Sequence, residues 1–331
     1  MNQPRILVTG GSGLLGSYLL RFFRHQGYTQ LTATYHNENA IPVDLRDGID
    51  WRSLVLPDIP DAFKIVEGQD WVIHTAGLVS YNHEDRYRLL EINKVGTEII
   101  VNACIAQQVK HLIYVGSIAA LGKETNPQTL NESNIWLQNQ YSTPYGLSKY
   151  LAELEVWRGA GEGLNVSVIL PSIILGTGNW QSSSLQLIDR VAKKMPWYPG
   201  GKTGYVDVRD IASFIGHLLE SEKSGERWLL NATNMSYSEI YTLIANKLGV
   251  KKKFKEAPEW MAKMVLLFSN MKKGRFSVPD LIHQVYGTFS YDAGKSLTMP
   301  GFIYRPVEKT IEEVVSIYKN QPANGVLLFE K

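Results

Sequence analysis

The sequence predicts an α/β fold, with a doubly wound parallel sheet followed by a smaller, mixed C-terminal portion. Three observations carry this. Short β-rich runs alternate with helical periodicities through the first half of the chain, as in βαβ units whose crossovers cover both faces of a parallel sheet. A glycine-rich turn joins the first strand to the first helix. After Pro171 the alternation gives way to loops broken by Pro196, Pro199, Gly200 and Gly201.

The strand candidates, in order, are Arg5–Val8, Leu31–Tyr35, Trp71–His74, His111–Val115 and Val166–Leu170. The helical candidates between them are Leu14–Gln26, Asp61–Glu67, Glu84–Gln107 and Tyr145–Gly161. Right-handed crossovers between parallel strands then put ligands at the carboxyl ends of the strands. In the second half Ile211–Glu220 and Ser238–Leu248 read as helices, with Ser236 or Ser238 as the N-cap of the latter. Trp260–Phe268 carries apolar residues on several helical faces and reads as a helix partly covering something apolar.

Composition excludes several classes. A chain of 331 residues, 44% hydrophobic and 20% charged, has ample apolar material for a core. Its length fits one large domain with a smaller appendage. A net charge of +2 provides no strong field for nucleic acid or an anionic membrane, so neither is expected as a partner. The single cysteine, Cys104, rules out an internal disulfide framework and fits a reducing cytoplasm, the expected location. It sits in the apolar stretch Ile99–Ile105 and is expected to be a buried structural thiol. No signal peptide is expected ahead of Ile6. No apolar run approaches the about 20 residues a membrane span needs. No metal-ligand set is expected.

The turn reads Thr9-Gly10-Gly11-Ser12-Gly13-Leu14-Leu15-Gly16 and lies between strand Ile6–Val8 and helix Leu14–Gln26. That is the context a dinucleotide-binding fingerprint requires. One glycine permits the tight turn, another lets a pyrophosphate approach the backbone, and the third lets the helix pack closely. The helix N-terminus offers free N–H groups to the phosphates. A purely structural glycine turn is the bland alternative. Residues 1–175 are therefore expected to form a Rossmann-type NAD(P)-binding domain, its sheet completed by segments near 205–232. Residues 176–331 are expected to be mostly substrate-binding region. At the end of the second strand, Tyr35-His36-Asn37 presents no carboxylate for a ribose 2′-hydroxyl, although Glu38 follows. NADP(H) is therefore favoured over NAD(H), with His36 a candidate neighbour of a 2′-phosphate.

Tyr145 and Lys149 stand four residues apart, on one helix face. An ammonium beside a phenol stabilises the phenolate and draws its pKa down from about 10, which suits acid–base work beside a nicotinamide. Lys149 is also placed to hold the nicotinamide ribose. Pro144 suits the helix start. Ser117 follows the apolar strand His111–Val115 and so falls at a strand's carboxyl end, where its hydroxyl can orient a substrate carbonyl. The bland readings are a surface Tyr/Lys pair and, for Ser117, a helix N-cap.

With these residues in place, the chain resembles the extended short-chain dehydrogenase/reductases, the NAD-dependent epimerase/dehydratase family, and within it the dihydroflavonol 4-reductase and 3β-hydroxysteroid dehydrogenase-like branch. The resemblance spans nearly the whole chain. Asp44-Leu45 is similar to the family's adenine-contacting pair. His74-Thr75-Ala76-Gly77 is similar to its turn beside the cofactor. Asn93-Lys-Val-Gly96-Thr97 is similar to a helix motif, and Pro171-Ser172-Ile173 opens a segment similar to the one that closes over the nicotinamide. Tyr205–Asp210, Tyr291-Asp292-x-x-Lys295 and Arg305-Pro306 resemble its later segments. The resemblance implies Tyr145 as general acid/base, Lys149 as its partner, Ser117 as the substrate-orienting hydroxyl, and the pyrophosphate on Gly10–Gly16. Two positions depart from the pattern: Leu170, where an arginine is frequent, and Gly116, where a serine is frequent. Ser117 is followed by Ile118-Ala-Ala-Leu121, without the Asp-Glu pair of the family's dehydratases, so dehydration of a sugar nucleotide is not expected.

For the substrate, Trp136, Trp180, Trp197, Tyr198, Trp260, Met261, Met264, Phe268, Met271 and Phe276 are candidates to line a broad apolar pocket, against the alternative that they are core. An epimerase needs cations for a diphosphate, and Arg209, Lys272, Lys273 and Arg275 are the candidates, Arg209 the best of them. The favoured expectation is an NADPH-linked oxidoreductase acting on a bulky ketone/alcohol pair. The alternatives are an NAD-dependent nucleotide-sugar epimerase and a non-catalytic regulator that binds NADP. Intact Ser117, Tyr145 and Lys149 argue against the last. Helices Glu84–Gln107 and Tyr145–Gly161 also permit pairing across a two-fold axis into a homodimer.

Overall fold

The computed structural model describes residues 3–178, 180, 185–221, 223–264, 278–320 and 325–329. Its strands are β1 (Ile6–Thr9), β2 (Leu31–Tyr35), β3 (Asp50–Ser53), β4 (Trp71–His74), β5 (His111–Val115), β6 (Gln128–Leu130), β7 (Val166–Pro171), β8 (Ile173–Leu175), β9 (Trp197–Tyr198), β10 (Lys202–Asp207), β11 (Glu226–Leu230), β12 (Thr233–Ser236), β13 (Lys255–Glu256) and β14 (Phe289–Tyr291). Seven of them make one sheet in the order β11-β7-β5-β4-β1-β2-β3, every neighbouring pair parallel. β1 lies inside the sheet between β4 and β2, with Ile6 in register with both Leu31 and Trp71. The chain runs from β1 outward through β2 to β3, then crosses to β4 and continues the other way. The crossover opens a crevice at the carboxyl ends of β1 and β4, where such sheets bind ligands.

The sheet holds together by two-sided burial. Every residue of β1, β5 and β7 is buried. Each fully buried Ile, Leu or Val contributes about 1.5–3 kcal/mol before entropy is counted. The five expected strands appear within a residue of their expected bounds. β3 had no legible pattern because it is an edge strand of sequence Asp-Trp-Arg-Ser with no buried residue.

The covering helices are α1 (Leu14–His25), α2 (Ile59–Val66), α3 (Arg86–Leu89), α4 (Gly96–Ala106), α5 (Pro144–Gly161), α6 (Gln186–Ala192), α7 (Val208–Glu220) and α8 (Tyr237–Leu248), followed by helices Val278–Tyr286 and Val307–Asn320. The expected single helix Glu84–Gln107 is instead α3 and α4 joined by a π-helical segment, Leu90–Val95. Asn93 within it is buried, with its Oδ1 accepting from Leu78 N at 2.7 Å and its Nδ2 donating to Ser148 Oγ at 2.9 Å. One amide thus ties the loop after β4 to α5. Ser236 caps α8 in a reciprocal box with Glu239, which decides between the two serine candidates. Of the expected helix Trp260–Phe268, residues 259–264 are helical and the remainder lies outside the described residues.

Three smaller sheets, β12-β10-β8, β13-β9 and β14-β6, come from the second half of the chain except for β6. Residues of β8, β9, β10 and β14 line one cleft together with the loops after β1, β4 and β5. Cys104 is fully buried, and burial pushes its thiol pKa far up. Among the described residues, no helix is long and apolar enough to cross a membrane, and no group of three or more His, Cys, Asp or Glu could hold a metal.

Candidate active site

The glycine turn is shaped by backbone contacts that a side chain would prevent. Gly10 has φ +67°, and a Cβ there would stand 2.9 Å from the Ala76 backbone. A Cβ on Gly16 would stand 2.3 Å from Gly10 O. The loop therefore packs on itself and on the turn after β4. Thr9 and Ala76 serve this packing away from the cleft wall: Thr9 Oγ1 bonds His74 Nδ1 at 2.7 Å and accepts from Ala76 N at 3.3 Å. His74 Nε2 meets Thr97 Oγ1 at 3.1 Å, so the histidine links β1, β4 and α4. Burial, with the Lys149 charge nearby, drops its pKa to about 3.

No side chain caps α1 at Gly13, and Gly13, Leu14 and Leu15 line the cleft. The turn thus offers backbone N–H groups and the positive end of a helix dipole to an anion. Further along the wall, Ser172 Oγ and Tyr205 Oη are buried polar atoms with no hydrogen-bond partner among the described residues. A glycine cradle at one end and buried groups awaiting partners along the wall fit a dinucleotide, with Pro171, Ser172, Ile173 and Gly77 also on the wall.

Ser117, Tyr145 and Lys149 meet where β5 ends and α5 begins. Thr143 caps α5 by accepting from Gly146 N at 3.0 Å, and Pro144 sets the first turn. That cap aims Tyr145 and Lys149 at the strand end. Tyr145 is hydrogen-bonded to Ser117, and Tyr81 stands edge-on to its ring at 5.9 Å. Lys149 Nζ donates to Val115 O at 2.9 Å and lies 4.9 Å from the Tyr114 ring centroid. Burial lowers the Lys149 pKa to about 8. The Tyr145 phenol is pushed well up, chiefly by burial and then by Tyr81, with the Ser117 bond opposing. The expectation of a lowered phenol is thus reversed in this structure, because desolvation outweighs the other contributions. Ser117 is also the N-cap of the turn Ile118–Ala120, so both of its readings hold geometrically. The two departures from the family pattern touch each other: a Cβ on Gly116 would meet the Leu170 side chain at 2.8 Å.

At the other end of the cleft the structure redistributes the expected residues. Tyr35 and His36 are not on the wall. Tyr35 tilts against Trp51 of β3 at 6.5 Å, and His36 is exposed. Residues Asn39 to Asp44 form the wall instead. Arg21, unremarked in the sequence, grips Asp44 with Nε at 2.7 Å and Nη2 at 2.9 Å and holds its carboxyl below the usual range. Leu45 faces the core, its carbonyl accepting from Trp51 Nε1 at 2.7 Å.

Of the substrate candidates, Trp180, Trp197, Tyr198 and Met261 line the cleft. Trp136 does not; it stacks on Tyr150 at 5.4 Å. Arg209 does not either. It is 2% exposed, pairs with Asp207 and Glu313 at 2.7 Å each, and donates to Leu328 O. Glu313 and the Leu328 carbonyl arrive from the C-terminal helix and tail, over 100 residues away, so local spacing does not reveal them. Trp260 and Met264 are exposed. Phe268, Met271, Phe276, Lys272, Lys273 and Arg275 lie outside the described residues. The cleft, of about 2230 Å³, is lined in this half by Tyr81, Tyr205, Tyr237, Tyr241, Phe289 and Tyr291, of which Tyr205 and Tyr291 stand in segments that carry the family resemblance and none was among the substrate candidates.

Comparison with known proteins agrees with this architecture. A Synechocystis sp. protein provisionally named dihydroflavonol 4-reductase is 27% identical over 332 residues, covering 95% of this chain and 94% of that protein. Tetraketide alpha-pyrone reductase 2 of Arabidopsis thaliana is 28% identical over 263 residues, covering 73% and 82%. The solved structure of a nucleoside-diphosphate-sugar epimerase from Pseudomonas aeruginosa matches with a TM-score of 0.79 at 20% identity, over 97% of this chain and 99% of that one, a likeness of fold. The model of the NAD dependent epimerase/dehydratase family matches residues 6–231. With its parallel sheet, its glycine turn and that match over two-thirds of its length, the chain belongs to the NAD dependent epimerase/dehydratase family.

Proposed function

We propose that this protein is an NAD(P)-dependent oxidoreductase acting on CH–OH groups, and that it carries out NADPH-linked reduction of a ketone, or the reverse oxidation, on a bulky, partly apolar small molecule. The observation that carries the reading is the hydrogen-bonded Ser117–Tyr145 pair, one helical turn from Lys149, on the wall of a cleft whose other half is aromatic. The nicotinamide, when bound, supplies or accepts the hydride. Tyr145, its pKa raised by burial, is a phenol at neutral pH and donates a proton to the oxygen of a carbonyl being reduced. Ser117 Oγ orients the same oxygen, and the Lys149 ammonium adds positive charge beside it. The glycine turn, Asp44, Pro171, Ser172 and Ile173 would hold the dinucleotide. The absence of a carboxylate at the end of β2 favours NADP(H). Relatives named as reductases support the class.

The epimerase reading loses its best diphosphate cation, since Arg209 is fully engaged within the fold. The test is calorimetric titration of nucleotide-stripped protein with NADP⁺, NADPH, NAD⁺ and NADH, then a carbonyl screen with wild type and Tyr145→Phe. Tighter binding of the phosphorylated pair is expected. So is a loss of about 10²-fold or more in kcat for the variant, with cofactor affinity kept. Turnover that survives Tyr145→Phe would remove the acid/base assignment. A tightly retained NAD⁺ with no net turnover would put the epimerase in its place.

A further inference from the structure

Among the described residues the cleft wall carries four cations: Arg21, Lys123, Lys149 and Arg190. Three have acceptors within the protein. Arg21 grips Asp44, Lys149 donates to Val115 O, and Arg190 bonds the Tyr241 hydroxyl. Lys123 has none. The residue is nonetheless only 8% exposed. Its ammonium lies 4.6 Å from the centroid of the Phe289 ring. Its own carbonyl accepts from Asn139 Nδ2, which fixes the backbone at this point.

A lysine near a surface normally extends its stem and keeps its head in water. Here the head is turned inward onto an aromatic face. The ring offsets only part of the lost hydration, because a buried charge needs a charged or hydrogen-bonding partner as well. The two carboxylates on the cleft wall do not supply one. Asp44 belongs to Arg21, and Glu84 is exposed on the turn His83–Asp85, with no contact to Lys123. Lys123 lies on the segment that leaves Ser117 toward β6 and β14, so it belongs to the same end of the cleft as the proposed catalytic residues. Burial draws its pKa to about 8, which leaves it mostly charged at neutral pH.

We propose that Lys123 is a specificity-determining residue that anchors a carboxylate on the substrate. The substrate class is then a ketone or alcohol with an apolar, aromatic-compatible body and an acid group, the ring face of Phe289 flanking the anion site. A single ammonium among aromatic side chains matches one carboxylate and falls short of a diphosphate. This rests on the reading of the cleft as an oxidoreductase's substrate site, so its test is separated from turnover.

Binding is measured by calorimetry on the full chain saturated with NADP⁺, using pairs of aryl-ketone acids and their amides, 4-acetylbenzoate with 4-acetylbenzamide among them. Wild type is expected to bind at least one acid about ten-fold or more tightly than its amide. Lys123→Gln and Lys123→Met should each bring that pair to parity without altering NADP⁺ affinity, and Lys123→Arg should keep the preference. Removing the buried charge should leave the melting temperature of the Met variant equal or higher. Four outcomes would overturn the assignment: no acid in the panel binding better than its amide, a preference that survives in both neutral variants, lost NADP⁺ affinity, or a Met variant that melts lower. If the paired preference is found but no carbonyl compound turns over, the carboxylate site stands and the reductase reading fails.

Discussion

Ser117 does two things with one hydroxyl. Its oxygen accepts from Ala119 N at 3.1 Å, closing the turn after β5, and the same group bonds the Tyr145 phenol. Replacing it should therefore cost both stability and, on the proposed chemistry, rate. Ser117→Ala is expected to lose about 1 kcal/mol in denaturant unfolding, as for a lost cap. It should also lower kcat/KM by about 10²-fold, as for a lost orienting donor. Ser117→Thr should recover most of both. A variant that loses stability but keeps its rate would leave Ser117 as a cap and nothing more.

At the scale of elements, the β1–α1 turn is a structure that only glycine permits. A Cβ on Gly16 would fall 2.3 Å from Gly10 O and 2.8 Å from Gly11 Cα, both backbone atoms that cannot swing aside. Gly16→Ala must open the loop, so cofactor affinity should fall by about ten-fold or more and the melting temperature should drop. Gly161→Ala is the control. It ends α5 with nothing within 4 Å, and it should leave cofactor affinity unchanged. Calorimetry with the preferred nucleotide, alongside thermal melts, checks both. Equal affinity in wild type and Gly16→Ala would remove the phosphate-cradle reading.

At the scale of the molecule, two buried histidines couple the fold to pH. His74 and His111 lie in the sheet with pKa values drawn by burial to about 3 and about 4. Unfolded, each would bind a proton near its ordinary value of about 6.5. The unfolded chain therefore takes up more protons below that value, so stability falls with pH from about 6.5 towards 4. Asp210 works in the opposite sense. Burial raises its pKa to about 6, so the folded state gains a proton on it as pH falls. Glu153, also raised by burial, works in the same sense as Asp210, whereas Asp44, Asp70, Glu155, Asp189 and Glu239 are held below their ordinary values and add to the histidines' loss on acidification. His111 accounts for about 2 kcal/mol of it between pH 7 and pH 5. Urea unfolding at those two pH values should show the loss, and His111→Asn should reduce the difference by that amount. An unchanged difference would mean that His111 is not held neutral by the fold.

Much of this was legible along the chain because it depends on neighbours in sequence. The five buried strands, their helices, the glycine turn, the Tyr145/Lys149 spacing and the place of Ser117 after an apolar strand all follow from local periodicity and spacing. What tertiary structure alone decided depends on groups brought together from distant segments. Arg209 beside two aspartates suggests a ligand site until Glu313 and the Leu328 carbonyl close over it. Tyr35 at a strand tip suggests a cofactor contact until β3 supplies Trp51. Tyr145 beside a lysine suggests a lowered phenol until the depth of the cleft raises it. Lys123 carries no pattern in sequence at all, and only the Phe289 ring and the lack of an acceptor among the described residues give it meaning. Backbone geometry and apolar periodicity are short-range properties that a sequence records directly. Burial, counter-charge and hydration are properties of the assembled fold, and they decide what each candidate side chain can do.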